Sequence, residues 1–246
     1  MGFIRDQQGI MNRYLREKST WAGHLENTRN FILSSFTNDA IETVAVLGSG
    51  WLLDVPLDGL RARFKRVFLV DIHHPPQIRK KTELMEDVEL IEADLSGGAA
   101  EQLWHLKREK GSPTTNDLLA KINLSAPLDH INPDAVISVN LLNQLDIILC
   151  DFLKGLGSFQ QETPDLFRSA IQQFHIQWIS RYPGCLITDV MEIREDKGGQ
   201  SDSKSLLYTP LPEGIRRDRW NWDFDTLGTY HPEALTRMEV QAVEWR

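Results

Sequence analysis

The spacing of apolar residues along the chain changes twice. Up to about residue 36 they fall at helical intervals: Ile10, Met11, Tyr14 and Leu15, then Trp21 and Leu25, then Phe31 and Ile32. Residues 5 to 36 are expected as two or three helices, interrupted by the polar "TND" of 37–39. From residue 43 the pattern becomes short aliphatic and β-branched runs: "TVAVLG" (43–48), "RVFLVD" (66–71), "VELIEAD" (88–94), "DAVISVN" (134–140) and "GCLITDVMEI" (184–193). Such runs, with helix-length segments between them, predict strands buried on both faces of a doubly wound, mostly parallel α/β sheet. Near the end the period is two: Trp220, Trp222 and Phe224, then Met238, Val240 and Ala242. These segments predict a C-terminal antiparallel hairpin at the sheet edge, for seven strands in all.

The connections carry their own signals. Residues 107–127 are expected as a loop with one short helix, and 141–182 as two helices. The second of these has Thr163 as cap, Pro164 at its first position and Asp165 in its first turn. Its stripe of Phe167, Ala170, Ile171, Phe174 and Trp178 faces a core. The polar, glycine-rich 194–205 is expected as a mobile loop. The chain thus divides into an N-terminal helical lid or extension, 1–40, and a sheet domain, 41–246.

Composition narrows the function classes. The 246 residues are 41% hydrophobic and 25% charged, as in an ordinary globular protein. The net charge of -8 argues against a dedicated nucleic-acid surface. The densest basic groups, "RARFKR" (61–66) and "RKK" (79–81), read as solvated helix faces. Two cysteines, Cys150 and Cys185, lie in apolar contexts that suit packing rather than a disulfide framework. Neither a signal-peptide core nor a run of about 20 apolar residues occurs, so no membrane span is expected and a cytoplasmic location is. No spacing of metal-ligand type is found, so no metal is expected.

In open α/β sheets ligands bind beyond the carboxyl ends of the strands. Those ends are Gly48-Ser49-Gly50, Asp71, Asp94, Asn140 and Asp189. Gly48 and Gly50 allow close backbone approach, and a helix following them would offer free N–H groups. Asp71, 21 residues past Gly50, has the placement of a ribose-binding acid. Asp94 could accept from an exocyclic amine. Each also has a structural reading: a tight turn for the glycines, and helix caps for Asp71, Asp94 (with Ser96 as rival cap) and Asn140.

Taken together, "VAVLGSGW", "VFLVDIHH", "VELIEADLSG" and "PDAVISVNLLNQL" resemble, in order and spacing, four motifs of the class I S-adenosylmethionine-dependent methyltransferases. The terminal hairpin looks like that family's reversed last strand. The resemblance covers about 41–246 and is most specific over 44–143. It implies S-adenosylmethionine as cofactor and a binding set of Gly48, Ser49, Gly50, Trp51, Asp71, Ile72, Asp94, Leu95, Asn140 and Leu141. By analogy with the family, the N-terminal helices would cover the pocket, with Trp21 and His24 over the site.

The chain also departs from the pattern. Val46 stands where the family often has an acid, Leu52 where it often has a third glycine, and Trp51 where a small residue is usual. No Asn/Asp-Pro-Pro-Tyr motif follows the fourth strand, which turns the expectation toward a small-molecule acceptor. Catalytic candidates are Asn140, Asn143 and His24. His105, His130, His175 and His231 are taken as structural or solvent-facing. Two alternatives stand beside methyl transfer: a catalytically silent binding or scaffold protein of the same fold, and a nicotinamide-dinucleotide oxidoreductase. Leu53 weighs against the latter, because its fingerprint requires glycine there.

Overall fold

A computed structural model describes residues 1–36, 38, 40–106, 122–128, 130–156 and 163–246. Two helices open the chain, α1 (Phe3–Arg16) and α2 (Lys18–Ser34). They meet at Glu17, whose buried carboxylate accepts from the amides of Thr226 and Leu227. Then follow β1 (Thr43–Leu47), α3 (Leu57–Arg63), β2 (Arg66–Asp71), α4 (Pro76–Thr82), β3 (Val88–Glu92), α5 (Ala99–Leu106) and β4 (Ala135–Val139). The remainder is α6 (Ile147–Leu156), α7 (Thr163–Ile179), β5 (Gly184–Asp196), β6 (Ser201–Ser205), β7 (Arg216–Asp225) and β8 (Ala234–Trp245).

The sheet runs β3-β2-β1-β4-β5-β8-β7, with β6 paired to β5. Strands β1 to β5 are parallel, and β8 runs antiparallel between β5 and β7. The chain order reverses between β1 and β4, so the crevice at their carboxyl ends is the topological switch point. Alternate residues feed two cores. Val44, Val46, Ile137 and Ile187 pack with Trp21, Leu25 and Ile32 of α2 and Leu60 of α3. Ala45, Leu47, Val136 and Leu186 pack with Leu103, Leu149, Phe167 and Trp178 from α5, α6 and α7. Burial on both faces is why these strands read as unbroken apolar runs.

Two local expectations are corrected. Segment 194–205 is a hairpin: β5 continues to Asp196 and β6 returns beside it, Glu195 opposite Ser201 and Met191 opposite Ser205. The Gly198-Gly199 signal belongs to its turn, where Asp196 accepts from the Gly198 and Gln200 amides. All five β6 residues are exposed, so no apolar alternation marks the strand, and the sheet has eight strands rather than seven. Thr163 is the first helical residue of α7 rather than its cap. The short helix expected within 107–127 has no counterpart at 122–126, and 107–121 lie outside the described residues.

Candidate active site

The glycine turn is fixed by its neighbours. Gly48 has φ +80°, and a Cβ there would sit 2.9 Å from the Val139 carbonyl oxygen and 3.0 Å from Leu141 Cβ. Glycine therefore lets β1 and β4 close at the crevice. The amides of Gly48 and Ser49 both donate to Val70 O, and that of Gly50 donates to Asp71 Oδ2 at 2.8 Å. The helix expected straight after the glycines starts only at Leu57. A turn intervenes, closed by Leu52 N to Ser49 O, with Leu52 itself left-handed at φ 55°. The amides of Gly48, Ser49, Gly50 and Leu52 are thus engaged within the turn and by β2, and no helix end lies there.

Asp71 is buried and turned toward the glycine turn. Its Oδ1 accepts from Ile72 N at 2.8 Å and from Gln7 Nε2 at 2.7 Å. It does not cap α4, whose N-cap is Pro75. Burial pushes its pKa up, opposed first by the Gly50 amide. Gln7 belongs to α1 and donates as well to His73 O. The Trp51 indole donates to Gln7 O at 2.8 Å, so this residue clips α1 to the glycine turn and forms part of the cavity wall. Asp94 does cap: its Oδ1 accepts from the Ser96 amide and hydroxyl, and its Oδ2 from Ala100 N in α5.

Across the crevice lies a second polar group. Asn140 has φ 47°, a left-handed backbone that asparagine tolerates. Its side-chain amide reaches His24 Nε2 at 3.1 Å and Asp54 Oδ2 at 2.6 Å through one atom. Trp220 Nε1 donates to His24 Nδ1 at 3.1 Å. An indole N–H only donates, so His24, its pKa pushed down to about 3 by burial, carries its single proton on Nε2. An amide oxygen turned to the shared position would accept from His24, whereas Nδ2 there donates to Asp54 Oδ2. Burial pushes the Asp54 pKa up, opposed by this Asn140 hydrogen bond. The His24 ring stacks on Trp222, centroids 3.9 Å apart.

Asn143 Nδ2 lies 3.3 Å from Asp189 Oδ2, and burial raises the Asp189 pKa to about 7. Among the described residues, no partner reaches Asp189 Oδ1, Asn143 Oδ1 or the second amide atom of Asn140.

One cavity of about 690 Å³ joins both groups. All ten residues expected to hold the cofactor line it, as do His24 and Asn143. Sequence reasoning did not name Gln7 or Asp54. Trp21 lines the cavity too and donates to Phe224 O. His175 is buried against Ser138, His231 bonds Glu192, and both cysteines are buried and outside any disulfide.

Five parallel strands in the order 3-2-1-4-5, with a reversed strand inserted between the fifth and the edge, form the class I S-adenosylmethionine-dependent methyltransferase fold. No protein-family model matches the chain, and no curated protein does. Solved structures are similar at low identity. The 1,6-didemethyltoxoflavin-N1-methyltransferase of Burkholderia thailandensis, with bound 1,6-didemethyltoxoflavin and S-adenosylhomocysteine, is 11% identical, with a TM-score of 0.43 over 98% of this chain and 87% of that one. The N-methyltransferase NodS of Bradyrhizobium japonicum, in complex with S-adenosylhomocysteine, is 11% identical, with a TM-score of 0.44 over 95% and 96%. A putative RNA methyltransferase of Pyrococcus horikoshii is 10% identical, with a TM-score of 0.37 over 89% and 84%. Among the described residues no helix is long and apolar enough to cross a membrane.

Proposed function

We propose that the chain binds S-adenosylmethionine and transfers its methyl group to a small or modest-sized acceptor. The observation that carries this reading is the state of Asp71. Two backbone amides, of Gly50 and Ile72, orient its carboxylate, and a side-chain donor from Gln7 already occupies it. Ribose hydroxyls are donors of the same kind, so the site fits the cofactor's sugar. Gly48, Ser49, Gly50 and Trp51 would then hold its amino-acid part, Asp71 and Ile72 the ribose, and Asp94 and Leu95 the adenine. Asn140 and Leu141 would flank the transfer centre.

When bound, the cofactor would supply an electrophilic sulfonium methyl group for an acceptor lone pair. The chain's part is to orient the acceptor and exclude water. Trp21, Trp222 and Phe224 provide apolar wall, and α1 provides a roof. A catalytically silent binding protein is the second reading, favoured by Gln7 standing on the ribose acid. Calorimetry with S-adenosylmethionine, S-adenosylhomocysteine and NAD(H) tests the proposal. Binding of the two sulfur compounds without NAD(H) supports it, and no heat with either overturns it. Binding without turnover over a panel of acceptors supports the silent reading.

A further inference from the structure

On the β5 side, the cavity floor is rich in acceptors and poor in donors. Asp189 sits where β5 leaves its parallel partner: pairing with β4 ends at Ile187, and the register with β8 slips between Asp189 and Met191. A bulge at that point re-aims the side chains around it. Asp189 is 5% exposed and lines the cavity. The long 3.3 Å contact from Asn143 reaches one carboxyl oxygen, and among the described residues no donor reaches the other. Asn143 is 7% exposed, lines the same cavity and has an unpartnered oxygen of its own.

The groups acting on Asp189 come from three elements: Asn143 from the turn after β4, Asp54 from the turn after β1, and Glu192 from β5 itself. Two of them are acids. Of the cations around it, Arg194 and His231 pair with Glu192 and Arg168 pairs with Asp146 at 3.5 Å, while Lys204 and Arg13 also line the cavity and are in no ion pair among the described residues. Apolar wall from Trp222 and Met238 adjoins this floor. A ligand that completes it brings N–H donors, tolerates two acids beside it and has an apolar body.

We propose that Asp189, held by Asn143, docks the nitrogen of an amine-bearing acceptor and takes the proton that nitrogen loses. The inference rests on the methyl-transfer reading and names its substrate class. The balance closes: the nitrogen lone pair forms the N–C bond, the C–S pair stays on sulfur, and the displaced N–H proton passes to the Asp189 carboxylate. Two features suit Asp189 to the task. Its pKa, raised to about 7 by burial, lies near working pH, where a base is most effective. Asp54 and Glu192 beside it raise that pKa further.

The test uses the full chain and three probes of one shape: phenethylamine, 2-phenylethanol and 3-phenylpropionate, each titrated with and without saturating S-adenosylhomocysteine. Phenethylamine is expected to bind, to bind more tightly as pH rises through about 7, and to weaken at least tenfold in Asp189→Asn with its pH dependence lost. The alcohol and the carboxylate are expected to bind more weakly than the amine. S-adenosylhomocysteine affinity, read separately, is expected to be unchanged in the variant. Absence of amine binding, equal binding by Asp189→Asn, or tighter binding of the alcohol or carboxylate overturns the inference. Loss of S-adenosylhomocysteine binding with amine binding intact would instead overturn the methyl-transfer reading. If Asp189→Asn fails to fold, Asn143→Ala reports on the same pair, with a several-fold loss of amine affinity expected and no loss contradicting the proposal.

Discussion

The two walls of the cavity are built on opposite principles. On the β1–β3 wall both oxygens of each strand-end carboxylate are met: those of Asp71 by Gly50, Ile72 and Gln7, those of Asp94 by Ser96 and Ala100. On the β4–β5 wall, Asn140, Asn143 and Asp189 each leave a buried polar atom without a partner among the described residues. A buried polar atom left unpaired costs about 1–3 kcal/mol. The strand-end carboxylates of the first wall are therefore held in place, with one unpartnered oxygen on Gln7 above them, while the second wall carries the larger deficit that a ligand can relieve. One suits a fixed cofactor, and the other suits the molecule on which the chemistry is done.

The comparison breaks most severely at Gly48. Gly48→Ala places a Cβ 2.9 Å from the Val139 carbonyl on a residue with φ +80°, and so forces β1 and β4 apart. A loss of about 3 kcal/mol is expected, or roughly 10 °C in melting temperature, read by thermal unfolding. An unchanged melting temperature would show that the glycine turn is not set by this approach.

Asp189→Asn sharpens the contrast by removing the titrating charge of the second wall. Folding raises the Asp189 pKa to about 7 from the usual 3.8. Between those values the folded chain holds a proton that the unfolded chain has released, so this group's contribution to stability falls as pH rises through the window. The variant is expected to melt about 5 °C higher at pH 8 and to match the parent near pH 4. His24 and His175 act in the opposite sense. With pKa values pushed down to about 3 and about 4, they cost stability as pH falls below about 6.5, where the unfolded chain takes up protons that the folded one refuses. They are present in both proteins and cancel in the difference. A gain of equal size at both pH values would contradict the Asp189 assignment.

The smallest effect is expected on the first wall, at Gln7. Gln7→Ala frees Asp71 Oδ1 from its side-chain donor, so a ribose no longer competes for the carboxylate. S-adenosylhomocysteine affinity is expected to rise about threefold, the scale of one modest hydrogen bond. A fall in affinity would show that Gln7 helps to hold the ligand instead of standing in for it.

The first wall was largely legible in the sequence. Strands buried on both faces leave continuous apolar runs, and the residues ending the runs of this wall, Gly48, Asp71 and Asp94, come out beside one crevice. What was not legible depends on distant packing. Nothing in "RDQQGI" distinguishes Gln7 from Gln8, and only the docking of α1 brings one of them to Asp71. The His24–Asn140 contact spans 116 residues. Asp189 stood out as a strand end, yet its bulge and its unpaired oxygen arise only once β8 lies beside β5. Strand β6 escaped because a fully exposed strand has no apolar face to display.

The central claim, that the preorganised wall is a cofactor site, is tested most directly by calorimetry with S-adenosylhomocysteine on the wild-type chain and on Asp71→Ala. The account predicts one-site binding to the wild type and a loss of about 100-fold in the variant, near 2.7 kcal/mol. Equal affinities in the two proteins, or no binding to the wild type, would contradict it.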